Sequence, residues 1–146
     1  MEEASPVICR MTIDNEVSHV RYGGVDLVVS GQWNNWNSVK MFSYTPVVGH
    51  HLEIGAFDHD GSCDGCLCAG FLLECDDGFV SDRENWIAWG GNTQSVAPSD
   101  GYSTPCSSSS GFSMSQEYST TMTKIWAANG NQYVWFKATP YSAGIE

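Results

Sequence analysis

"RYGGVDLVV", residues 21–29, is the stretch that decides the fold class. Two adjacent glycines sit between two β-prone runs. A two-residue hairpin turn that follows the twist of its strands needs positive φ at both central positions, and glycine reaches it without a Cβ clash. The spacing predicts an antiparallel hairpin, entered by "SHVRY" (18–22) and left by "VDLVV" (25–29). The same character runs outward in both directions. "PVICRMTI" (6–13), "VKMFSYT" (39–45), "HLEIGAF" (51–57), "CLCAGFLLE" (66–74), "TKIWAA" (123–128) and "QYVWFKAT" (132–139) are short, rich in β-branched and aromatic residues, and separated by turn residues.

Helix signals are poor by contrast. One helical turn is expected, at "DRENWIAW" (82–89), with Asp82 capping its start. Asp77-Gly78 marks a further hairpin turn, and the Ser- and Gly-rich stretch at 99–115 is expected to be a long loop pinned by Cys106. Many short strands within 146 residues predict one all-β domain over 1–146, an antiparallel β-sandwich or jelly roll, with a closed barrel as the rival.

Charge narrows the partners. Six Lys and Arg against 17 Asp and Glu give a net charge of -11. Such a surface repels phosphate backbones, which excludes nucleic acid, and it suits neutral ligands, cationic partners or divalent cations. No apolar run approaches a membrane span, so no membrane insertion is expected. The acidic opening "MEEASPVICR" has no basic-then-apolar targeting signal and no signal peptide is expected in this chain. The six cysteines are Cys9, Cys63, Cys66, Cys68, Cys75 and Cys106. An even count at this density points to disulfides and an extracellular or cell-surface location. The spacing Cys63-x-x-Cys66-x-Cys68, followed by Cys75, keeps a thiolate zinc site as the alternative. Spacing alone does not choose the pairing.

The order of motifs carries more than any one of them. "TIDNEVSHVRYGGVDLV", "GQWNNW", "VKMFSYTPVVGHHLEIGAFDHDG", "CAGFLLECDDGFVSDRENWIA" and "KIWAANGNQYVWFKATP" follow one another in the chain. This succession resembles the galactose-binding-domain-like β-sandwiches, jelly-roll modules attached to glycoside hydrolases and surface proteins. The resemblance covers about residues 12–140. It implies a jelly roll, and it matches Trp36 to a packing tryptophan that precedes an extended strand. The cysteine cluster at 63–75 departs from the pattern, and no catalytic domain is attached. The superfamily is functionally mixed, so the fold does not settle function.

Trp33 has no core assignment on this reading. An exposed indole beside Asn34 and Asn35 suits a sugar, whose apolar face stacks on the ring while amides bond its hydroxyls. Trp89, in "WIAWGG", is a further ligand candidate if it lies at an exposed edge, whereas Trp86, Trp126 and Trp135 are expected in the core. In "FDHDGSCDG" (57–65), Asp58, Asp60 and Asp64 offer hard oxygen ligands for calcium, without the spacing of an EF-hand; a solvated turn is the simpler alternative. Catalysis has little support. There is no Gly-x-Ser-x-Gly elbow, no phosphate-binding glycine loop and no distinctive carboxylate pair. The expectation is a non-enzymatic carbohydrate-binding module or small lectin, calcium-assisted, with a glycan or glycoprotein as partner and a homo-oligomer as the route to avidity. The alternative is a structural or adhesive extracellular protein-interaction module without a sugar site.

Overall fold

The structure, a computed structural model, describes residues 5–14, 16–34, 38–57, 70–91, 98, 101–108, 124–127 and 133–142. Among them are ten strands and no helix: β1 (Val7–Asp14), β2 (Glu16–Tyr22), β3 (Val25–Asp26), β4 (Lys40–Tyr44), β5 (Leu52–Phe57), β6 (Gly70–Cys75), β7 (Trp86–Gly91), β8 (Cys106–Ser108), β9 (Lys124–Trp126) and β10 (Tyr133–Ala138). They form two five-stranded antiparallel sheets, ordered β4-β1-β6-β9-β8 and β3-β2-β5-β10-β7. The expected all-β sandwich is what the chain forms. No helix among the described residues is long and apolar enough to cross a membrane.

The glycine pair behaves as its chemistry demands. Gly23 and Gly24 take φ of 61° and 82°, and Tyr22 pairs with Val25 across the turn. Arg21 and Asp26, opposite each other, form an ion pair at 2.9 Å. The run "VDLVV" then leaves the sheet early. Leu27 N–H still donates to Val20 O, but Ser30 pairs with Met41 at the edge of the other sheet. This segment therefore crosses from one layer to the other. A second turn follows β6, where Gly78 is at φ 94° and Phe79 N–H donates to the Asp77 carboxylate at 3.0 Å.

Two expectations need correction. "DRENWIAW" is not a helical turn: Asp82 does accept the Asn85 N–H, at 2.7 Å, but the chain then extends as β7 from Trp86. Trp86 and Ala88 face inward there and Ile87 outward, a two-residue period that fixes the strand once β10 lies beside it. Within the serine-rich stretch, Cys106–Ser108 is the short strand β8, held by pairing with β9 rather than by its own weak propensity.

The core lies between the sheets. Phe71, Trp86, Trp126 and Phe136 meet there, with Phe136 4.7 Å from Phe71 and 5.6 Å from Trp126. Cys9 and Cys75, directly opposite on β1 and β6, are disulfide-bonded. The bond spans 66 residues of sequence. Restricting an unfolded chain over such a loop is worth about 4 kcal/mol. Cys106 is disulfide-bonded as well. Oxidation removes Cys75 from the thiolate series that suggested zinc.

Candidate functional site

Strand β2 is irregular at its beginning. Its pairing with β5 shifts register between Val17 and His19, which makes Ser18 the extra residue of a bulge. A bulge re-aims side chains. Here Ser18 Oγ lies 3.2 Å from His19 Nδ1, and both neighbour Gly55 on the outer side of the sheet. The free edge of β2 is finished by the loop that carries Trp33, whose carbonyl accepts the Val17 N–H at 3.0 Å.

This arrangement opens a cleft of about 530 Å³ along the β2 edge. Trp33 walls it on one side; Glu16, Ser18 and His19 line it from β2, and Asp26 lines it from β3. Trp33 is 54% exposed, so its indole is open to a ligand in the cleft. The other groups are a short menu of hydrogen-bonding chemistry: two carboxylates that accept, a hydroxyl that does both, and an imidazole. Asp26 is shared with Arg21.

The outer face of this sheet continues behind His19. The His19 ring stacks on Trp135 at 5.3 Å, and the Arg21 guanidinium lies 5.2 Å above the same indole. Trp135 lies across Gly55, where an added Cβ would come within 3.3 Å of the ring. Trp135 is buried, as expected, but on the outer face and not between the sheets. Among the described residues its Nε1 has no hydrogen-bond partner, and neither has the buried Tyr102 hydroxyl.

The structure distributes the predicted residues unevenly. Asn34 is exposed beside Trp33 but does not line the cleft. Trp89 stands on β7, at the other edge of the same sheet, three strand spacings or about 14 Å from β2. It is half-buried, its ring lying over Gly91 and against Gly101, so it belongs to the packing of that edge and not to the Trp33 cleft. Asn35, Trp36, Asp58, Asp60 and Asp64 lie outside the described residues. Phe57, the last residue of β5 and the first of the acidic stretch "FDHDGSCDG", pairs with Glu16 of the cleft. No group of three or more metal-ligating side chains occurs among the described residues.

Glu16, Ser18, His19 and Asp26 were not singled out in the sequence as site residues. The bulge that turns Ser18 and His19 outward has no sequence mark of its own. Asp26 was visible only as the residue two beyond the glycine pair. In comparisons with protein-family models, curated proteins and solved structures, nothing matches the chain.

Proposed function

We propose that the protein is a non-enzymatic carbohydrate-binding module, a small lectin of the galactose-binding-domain-like jelly-roll type, which takes its sugar in the Trp33 cleft. The observation that carries this reading is the exposed Trp33 indole forming the wall of an open cleft that also holds Glu16, Ser18, His19 and Asp26. A pyranose has one apolar face and a rim of hydroxyls. The indole takes the face, and carboxylates and the Ser18 hydroxyl take the rim. The cleft is within the size of small-ligand sites. Asp58, Asp60 and Asp64 follow in sequence on Phe57, which pairs with Glu16, and their hard oxygens favour calcium as an aid to binding. The Cys9–Cys75 disulfide accords with an oxidising, extracellular or surface setting. A glycoprotein partner and a multivalent assembly of copies follow from weak single sites.

Val25 and Val28, 65% and 92% exposed on the same edge, favour the second reading, an adhesive protein-interaction surface without a sugar site. One experiment separates the two. The folded protein and its Trp33→Ala variant are applied to a broad glycan array, each with calcium and with EDTA. A lectin gives a defined set of glycans, loses it on Trp33→Ala, and keeps its stability within about 0.5 kcal/mol because Trp33 is a surface residue. Loss of signal in EDTA shows that a divalent cation takes part, and its restoration by calcium alone identifies that cation. A blank array from folded protein, or an unchanged one from the variant, removes the sugar reading of this cleft.

A further inference from the structure

We propose that the other end of the sandwich carries a second binding site, a preformed aromatic cage for an organic ammonium ion. It lies beyond the far end of β2 from the Trp33 cleft and stands independently of the sugar reading.

A cavity of about 240 Å³ opens there, among the ends of β2, β4, β5 and β10 and the turn after β6. Five of its lining residues are Tyr22, Tyr44, His50, Phe79 and Tyr141, all ring-bearing, and Asp77 and His51 line it too. Tyr22 stacks on Tyr44 at 4.3 Å and meets His50 edge-on at 5.7 Å. Aromatic faces are negative, and rings gathered round a small space with an acid at its rim are how proteins hold quaternary and methylated ammonium groups. Among the described residues no Lys or Arg lines the cavity. The electrostatics agree: burial first, then the charges of Asp77 and Asp76 and the neighbouring Tyr22, hold the Tyr44 hydroxyl above its ordinary value. Only the carboxylate share of that shift, from Asp77 and Asp76, also favours a cation; the burial share opposes any charge and has to be offset by contacts with the rings.

The walls are fixed before any ligand arrives. The Tyr22 hydroxyl accepts the Val47 N–H at 2.9 Å and donates to the Val47 carbonyl at 3.3 Å. Tyr141 N–H donates to His50 O at 2.8 Å, and Gly49 N–H donates to Tyr141 O at 2.9 Å. The His50 ring lies against Gly23, where a Cβ would collide with the imidazole. Little ordering is left for the ligand to impose, which favours affinity. Gly23 thus serves twice, in the hairpin turn and as the backing of the His50 ring.

The test titrates the full chain with choline and, separately, with 3,3-dimethyl-1-butanol, the neutral isostere of choline, by calorimetry and by NMR of the aromatic resonances. Choline is expected to bind with a dissociation constant of about 1 mM, and the isostere at least about tenfold more weakly. Asp77→Asn, which keeps an oxygen for the Phe79 N–H, and Tyr44→Ala should each weaken choline several-fold. Trp33→Ala should leave choline binding unchanged. Equal binding of choline and its isostere, the absence of saturable choline binding, or full affinity in a folded Asp77→Asn protein each overturns the cage. Should Tyr44→Ala not fold, Asp77→Asn and the isostere decide alone.

Discussion

Strand β10 sends Val134, Phe136 and Ala138 to the inside of the sandwich and Tyr133, Trp135 and Lys137 to the outside, yet each set contains a side chain with no exposed surface. On the inner face burial is mutual. Phe136 is enclosed by Phe71 and Trp126 of the opposite sheet, ring against ring. On the outer face there is no opposing sheet among the described residues. Trp135 lies flat across Gly55 and is covered by His19 and Arg21. The first arrangement is hydrophobic exclusion of water by apolar neighbours. The second is a polarised lid, an imidazole and a guanidinium on a π-face, and it leaves an indole N–H without a partner among the described residues. The difference teaches that alternation along a strand assigns sides but not dryness, and that a charged cap can bury a ring as completely as a core does.

The sharpest attempt to break this contrast is Phe136→Ala. Removing a wholly buried ring that joins the two sheets should cost about 3–5 kcal/mol, read from urea unfolding. A loss below about 1 kcal/mol would mean that the inner face does not hold the layers together. Trp135→Phe should cost much less, within about 1 kcal/mol, because the apolar area lost is offset by removal of a buried donor that bonds to nothing. A loss of about 3 kcal/mol there would erase the distinction between the faces.

The smallest effect is one of pH. The Tyr102 hydroxyl, near Lys137 and Glu53 on the outer face, is pushed up to about 12, first by burial and then by the Glu53 charge. An unfolded tyrosine ionises near pH 10. Above that the unfolded chain gives up a proton the folded one still holds, so unfolding is favoured as pH rises. The stability tied to this group is complete below about pH 10 and is lost towards pH 12. Melting temperature should therefore fall more steeply between pH 10 and 12 in the natural protein than in Tyr102→Phe. Parallel curves would show that the outer face does not withhold this proton. Tyr44, raised in the same direction, remains in both proteins and cancels from the comparison.

What could be read from the sequence was local. Gly23 and Gly24 named their own turn because only one backbone geometry suits them there, and the apolar runs around them named their strands. β7 was missed because Asp82 caps a turn in the same way whether a helix or a strand follows, and the choice is made by β10 beside it. β8 was missed because serines carry no strand signal, and pairing with β9 supplies what they lack. Trp33 was legible as a ring without a core duty. Its companions were not, since Glu16, Ser18, His19 and Asp26 meet it only through a register shift and a sheet edge. The cage at the other end was hidden for the same reason: Tyr22, Tyr44, His50, Asp77 and Tyr141 are scattered along most of the chain.

The Cys9–Cys75 bond encloses in one covalent ring both the loop that bears Trp33 and the acidic stretch of sequence after β5. A protease that cuts once anywhere within that ring releases nothing. The two pieces stay tied at adjacent strands β1 and β6, and the nick becomes visible as fragments only after reduction. Exposed loop tips such as the one at Trp33 are where a folded chain is most readily cleaved. In this chain that damage is confined to a break in a closed circuit, and the sandwich survives it as a single molecule.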